Sequence, residues 1–109
     1  MLAEASALLG SAGNANLLAG VDVNILAGRN LKSKSGTDQV FQAPKTWIGS
    51  EDENLLQIIV DFMQSVITAL QTLAAHTHAG SPPPDQATAI TAKATEVTAQ
   101  KVRTEAIKK

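Results

Sequence analysis

Apolar positions recur with one period in the first half of the chain and another in the second. From residue 13 to 49 the spacing is eight. Gly20, Gly28, Gly36 and Pro44 stand at a constant interval and divide the chain into GVDVNILA, GRNLKSKS, GTDQVFQA and PKTWIGSE. The third column reads Asp22, Asn30, Asp38, Thr46, and the eighth begins Ala27, Ser35, Ala43. An imperfect copy, AGNANLLA, precedes them at 12–19, with Asn14 and Ala19 in register. An octad of this kind reads as a short strand plus a turn. Glycine and its Asn or Asp neighbour tolerate turn torsions, and the residues between alternate faces. Val23 and Ile25, Leu31, Phe41 and Trp47 then share the more apolar face. Strands this short cannot close a sheet within one chain, so each octad needs neighbours to cover its face.

From residue 50 the period changes to that of a helix. Leu55, Ile59, Phe62, Val66, Ala69, Leu73 and His76 are spaced 4, 3, 4, 3, 4, 3, a heptad seam. A second row, Leu56, Met63 and Leu70, widens it, and Ile58 and Ile67 extend the apolar surface on other flanks. Ser50 with Glu53 three residues later forms a capping-box signature for the start, and Glu51 to Glu53 complement the helix dipole. Gly80 and the prolines 82–84 stop the helix. A second helical pattern follows Asp85, with a stripe at Ala87, Ile90, Ala94 and Val97 that drifts to Val102 and Ala106. Its side chains are small and its threonines lower helix propensity, so it depends on packing against the first helix, with fraying beyond about Val102. The organisation expected is a lead segment at 1–12, an octad-repeat needle at 13–49, a heptad-seam helix at 50–76, a turn at 77–84 and a second helix at 85–109.

Composition sharpens this picture. The chain has 109 residues, and 44% are hydrophobic, but only Phe41, Trp47 and Phe62 are aromatic. A chain of this size with so few large rings buries a modest core by itself, which favours association with copies of itself. A net charge of −1 argues against a nucleic-acid partner, which needs clustered Lys and Arg. The basic end, KVRTEAIKK, reads as a solvated helix terminus. Cysteine is absent, so the sequence carries no disulfide framework. Residues 1–12 lack the basic start of a secretory signal, and Gln57, Asp61 and Gln64 interrupt the apolar run 55–70 against a conventional membrane span.

The only candidate chemistry lies in AAHTHAGSPPP, where one threonine separates His76 from His78. One chain supplies two imidazoles, too few for an ordinary metal site. In a parallel trimer three copies would converge as six, a donor set suited to iron, zinc, nickel or copper. The alternative is that the pair caps a helix end in water. No arrangement of nucleophile and base is present, so an enzyme is not expected.

In order, the octads, APKTWIGSEDENLLQ, the apolar helix ending in AAHTHAGSPPP and the small-residue helix resemble a known family over residues 13–109. That family is the C-terminal part of central-spike proteins of contractile phage tails, related to the valine-glycine-repeat spikes of type VI secretion. The resemblance implies an α+β homotrimer: a short octad-repeat triple-stranded β-helix followed by a helical hairpin that forms a trimeric helical bundle. It also implies one iron ion per trimer, held by His76 and His78 of three chains, as in the His-x-His motif at the apex of some phage spikes. The pair here follows a helix rather than lying within β-structure, and the oligosaccharide-binding-like domain that usually precedes such a needle is not in this sequence. The chain is therefore expected to be a separately encoded tip or a piece of a longer spike. The implied role is that of a structural virion protein at the tip of the tail baseplate, or of an extracellular contractile injection apparatus. There it would contact baseplate hub or spike proteins and, transiently, the bacterial outer envelope, which it helps to pierce. The alternative is a passive trimerisation or adaptor module of a baseplate or tail fibre.

Overall fold

A computed structural model describes residues 7–109. Residues 1–6 of the expected lead segment lie outside the described residues. The described residues divide into two units, 7–39 and 40–109.

In the first unit the octad period is present in the backbone, but strands are not. The chain bends at residues 12–13, 20–21, 28–29 and 36–37, one octad apart, and again at 44–45 at the start of the second unit. Short side-chain contacts support these bends. Gly13 N donates to Ser11 Oγ at 3.2 Å, and Thr37 N donates to Ser35 Oγ at 3.4 Å. Between bends no segment pairs with another, and every residue from 7 to 39 is exposed, Leu17, Leu18, Val21 and Leu26 included. The expected α+β fold with a triple-stranded β-helix is therefore corrected: the described residues contain two helices and no strand. The physical reason is that a strand is defined by its ladder. Six residues between turns offer their N–H and C=O groups sideways, and in the single chain nothing lies alongside to take them.

The second unit is a helical hairpin. Helix α1 spans Leu55–Ala75 and α2 spans Ala87–Ile107. The start of α1 lies five residues beyond the expected capping box. Ser50 Oγ does accept from Glu53 N at 3.1 Å, but this closes a turn before the helix. The N-cap is Asn54, whose Oδ1 accepts from Leu56 N at 3.2 Å. Gly49 makes the early turn possible. Its φ is +151°, and a Cβ there would run into the Glu53 carbonyl oxygen, so the position accepts glycine alone without rearrangement. At the far end Gly80, with φ +76°, turns the chain, and Ser81 N donates to the His78 carbonyl at 2.9 Å.

The buried side chains are Val60, Ile67 and Ala74 from α1 and Ala94 from α2. In α1 these stand seven residues apart, a column beside the expected seam rather than the seam itself. Leu56, Met63 and Leu70 are half-buried next to them. In α2 the inward stripe begins as expected at Ala87, Ile90, Ala94 and Val97 and continues through Lys101, Thr104 and Lys108. The expected drift to Val102 and Ala106 is corrected, since both are exposed. The small side chain of Ala94 allows the helices to approach closely at mid-length.

Helix α2 does not fray after Val102. Its end is tied back: Thr46 N donates to the Ile107 carbonyl at 2.8 Å, and Lys109 N donates to the Thr46 carbonyl at 3.0 Å. Asn54, itself buried, completes the tie, with Nδ2 donating to the Lys109 carbonyl at 3.2 Å and Oδ1 also accepting from Ile48 N at 3.3 Å. One side chain thus joins the residue-48 loop, the start of α1 and the end of α2.

Candidate functional site

The feature of the hairpin that most needs a partner is the face of α1 turned away from α2. Leu55 is 48% exposed, Ile58 48%, Ile59 37%, Phe62 67% and Leu73 49%. With Val66 and Ala69 these residues make up the heptad seam read from the sequence, extended by Ile58 on one edge. The seam forms on α1, but α2 packs on the neighbouring column and leaves it largely open, with Val66 half-buried. The only charged residue of α1 is Asp61, roughly 120° round the helix from the middle of the seam, where it accepts from Gln57 Nε2 at 2.8 Å. By length and composition alone α1 is apolar enough to cross a membrane. Helix α2 differs: Lys93 pairs with Glu96 at 2.9 Å, and Lys101 with Glu105 at 3.3 Å. Lys101 Nζ also reaches across to Gln64 Oε1 at 3.0 Å.

The histidine pair stands where the seam ends. His76 is the C-cap of α1, with extended backbone at φ −66° and ψ 144°. Its Nδ1 lies 2.7 Å from the Leu73 carbonyl oxygen. A carbonyl can only accept, so Nδ1 is the donor in this contact and Nε2 is the ring nitrogen it leaves unused. This contact satisfies one of the carbonyls that a helix end leaves open. His78 packs edge-to-face against His76, with ring centroids 5.6 Å apart and planes at 84°. Both rings are exposed. A tethered Nδ1 and a free Nε2 are what a metal-ligating histidine requires. Among the described residues, however, no group of three or more His, Cys, Asp or Glu comes together, so one chain offers two donors. The local geometry serves the capping role and is compatible with the ligand role.

Sequence reasoning overlooked Asn54. The signal was available, because an Asn directly before an apolar helical run is a preferred N-cap, but the Ser50–Glu53 pair just upstream carried the same message. An apolar hollow of about 300 Å³ lined by Phe41, Thr46, Trp47 and Ile48 was also unforeseen. Trp47 is held at its rim by Nε1 donating to the Ser50 carbonyl at 2.8 Å.

No protein-family model matches the chain, and no solved structure matches it. One stretch of 47 residues is 47% identical to an uncharacterised 58.7 kDa protein, described as lying in the lys 3' region, of Haemophilus phage HP1. That stretch is 43% of this chain and 9% of the phage protein, so the chain spans a small part of its relative. The similarity is to a phage protein and carries no more specific role.

Proposed function

We propose that the chain is a structural component of a phage particle that works as a homotrimer, at the tip or central spike of a contractile tail baseplate. The observation that carries this reading is the open heptad face of α1, an apolar surface that one chain makes and does not cover. The similarity to a phage protein supports the setting. In this role the protein contacts baseplate hub or spike proteins and meets the bacterial outer envelope as the tail contracts. Its work is mechanical and needs no catalytic residue. At the end of the seam, His76 and His78 of three chains would hold one iron ion, which would fasten the trimer where α1 stops.

Mass in solution tests the assembly. Light scattering is expected to give three times the 11.4 kDa chain mass; a stable monomer overturns the proposal. Elemental analysis of protein purified without an affinity tag is expected to give one iron per three chains, lost in His76→Ala. Metal-free wild type removes the ion and leaves the trimer. A second reading, the adaptor module of a baseplate or tail fibre, gains support from the α-helical hairpin, whose open face asks for association and nothing more. Gold-labelled antibody on intact particles separates the two: label on the axis at the distal end means a tip, and label off the axis means an adaptor.

A further inference from the structure

We infer that the α1 helices pack parallel and in register around the trimer axis, with each α2 on the outside. The contact runs through Leu55, Ile59, Phe62, Val66, Ala69 and Leu73. The inference rests on the trimer proposed above and specifies its interface.

The occupant of the open face follows from its period. A 4–3 spacing sustained along a whole helix matches another helix with the same spacing, because knobs and holes then stay in step. The columns that flank the seam contain Leu56, Met63 and Leu70 on one side and Ile58, Ser65 and Thr72 on the other. None is charged, so identical helices meet in register without like-charge repulsion. The exposed part of the face amounts to roughly 400–500 Å² per chain, the size of apolar patch that marks an interaction surface. Cyclic threefold symmetry requires all copies to run the same way.

The place of α2 follows from helix geometry. At 100° per residue, the column of Val60, Ile67 and Ala74 lies about 130° round α1 from the middle of the seam. A helix seated there is clear of the axis, and the charged side chains of α2 remain in water. Between the two faces Leu56, Met63 and Leu70 are half-buried by α2 and stand ready to be covered by a neighbouring α1. A bilayer is the competing occupant. It would have to accept Asp61 and, because α2 is bound along the length of α1, also the charged residues of α2.

The chain has no cysteine, so single-cysteine variants report position cleanly. In Ala69→Cys the new thiol replaces an exposed methyl on the seam and leaves the hairpin core intact. In Thr68→Cys it sits one residue away, off the seam. Under mild oxidation the full-length Ala69→Cys protein is expected to give covalent dimers approaching about two thirds of the chains, since three thiols on an axis form one bond. Thr68→Cys is expected to give several-fold fewer, because disulfides need Cα atoms within about 7 Å. Circular dichroism confirms that both variants keep wild-type helix content. Equal crosslinking of the two variants overturns the inference, as does a trimer by light scattering with no Ala69→Cys dimer; in either case the trimer itself survives. A monomer by light scattering removes the trimer reading instead. Sedimentation of the protein with phosphatidylethanolamine–phosphatidylglycerol vesicles, with loss of the Ala69→Cys dimer, assigns the face to lipid and also overturns the inference.

Discussion

Asn54 offers the sharpest test of how the hairpin is held together. Its side chain is buried and makes three hydrogen bonds, accepting from Ile48 N and Leu56 N and donating to the Lys109 carbonyl. Asn54→Ala removes all three. Loss of an N-cap costs about 1 kcal/mol. The amide of Ile48 and the carbonyl of Lys109 are left facing an apolar methyl, at about 1 kcal/mol each or somewhat more where water cannot enter. The total is about 3 kcal/mol. For a folded unit of this size each kcal/mol moves the thermal midpoint by roughly 4–8 °C, so a fall of roughly 12–24 °C is expected. The measurement is thermal and urea unfolding followed by circular dichroism at one fixed chain concentration, because association makes apparent stability concentration-dependent. Asn54→Asp separates the parts. It keeps both accepted bonds and loses the donor, setting a carboxylate against the Lys109 carbonyl, and is expected to fall between wild type and alanine. Amide exchange should rise at Ile48 and Leu56 in the alanine variant and not in the aspartate variant, which keeps the acceptor for both. An Asn54→Ala midpoint within 2 °C of wild type would refute the reasoning, since the three bonds would then be exchanged for water without cost.

Other substitutions read the same structure at different points. Gly49→Ala combines a positive φ with a Cβ directed at the Glu53 carbonyl, and is expected to cost about 2 kcal/mol or more in urea unfolding. Ile67→Ala opens the hairpin core and is expected to cost about 2–4 kcal/mol. Ile58→Ala, on the open face, is expected to cost the isolated hairpin under about 1 kcal/mol while weakening association in sedimentation at low concentration. Lys101→Ala removes an ion pair with Glu105 and a bond to Gln64, both partly solvated, and is expected to change stability by less than about 1 kcal/mol at any salt concentration.

The legible parts of this fold are those that a residue settles with its near neighbours. The helical period of 55–73 and the inward stripe from Ala87 to Val97 are local, and the structure carries both; the expected stop at Gly80 is corrected, since α1 ends at Ala75 and Gly80 only turns the chain beyond it. The octad period is local as well, and it persists as bends every eight residues. The strands expected between those bends do not form among the described residues, because a ladder is a relation between segments and glycine spacing describes only one of them. The start of α1 slipped for a related reason. Ser50 and Asn54 are both good caps within five residues, and the choice fell to Asn54 because Gly49 folds residues 50–53 into a turn of their own.

Which face of α1 would take α2 was a harder question. Column Val60–Ile67–Ala74 and seam Leu55–Ile59–Phe62 both repeat every seven residues, so periodicity cannot rank them. Two distant constraints do. The turn through Gly80 and the prolines delivers α2 to one side of α1. At the other end Thr46 and Asn54 hold Ile107 and Lys109, which fixes the rotation and register of the returning helix. With both ends pinned, α2 lies over Val60 and Ile67, presents the small Ala94 at mid-length, and leaves the bulkiest α1 side chain, Phe62, uncovered. The same pins that close the hairpin therefore determine which surface remains open. A variant that loses the tie at Asn54 should free α2 to move over the seam, and so lose association along with stability, although Asn54 itself lies off the seam.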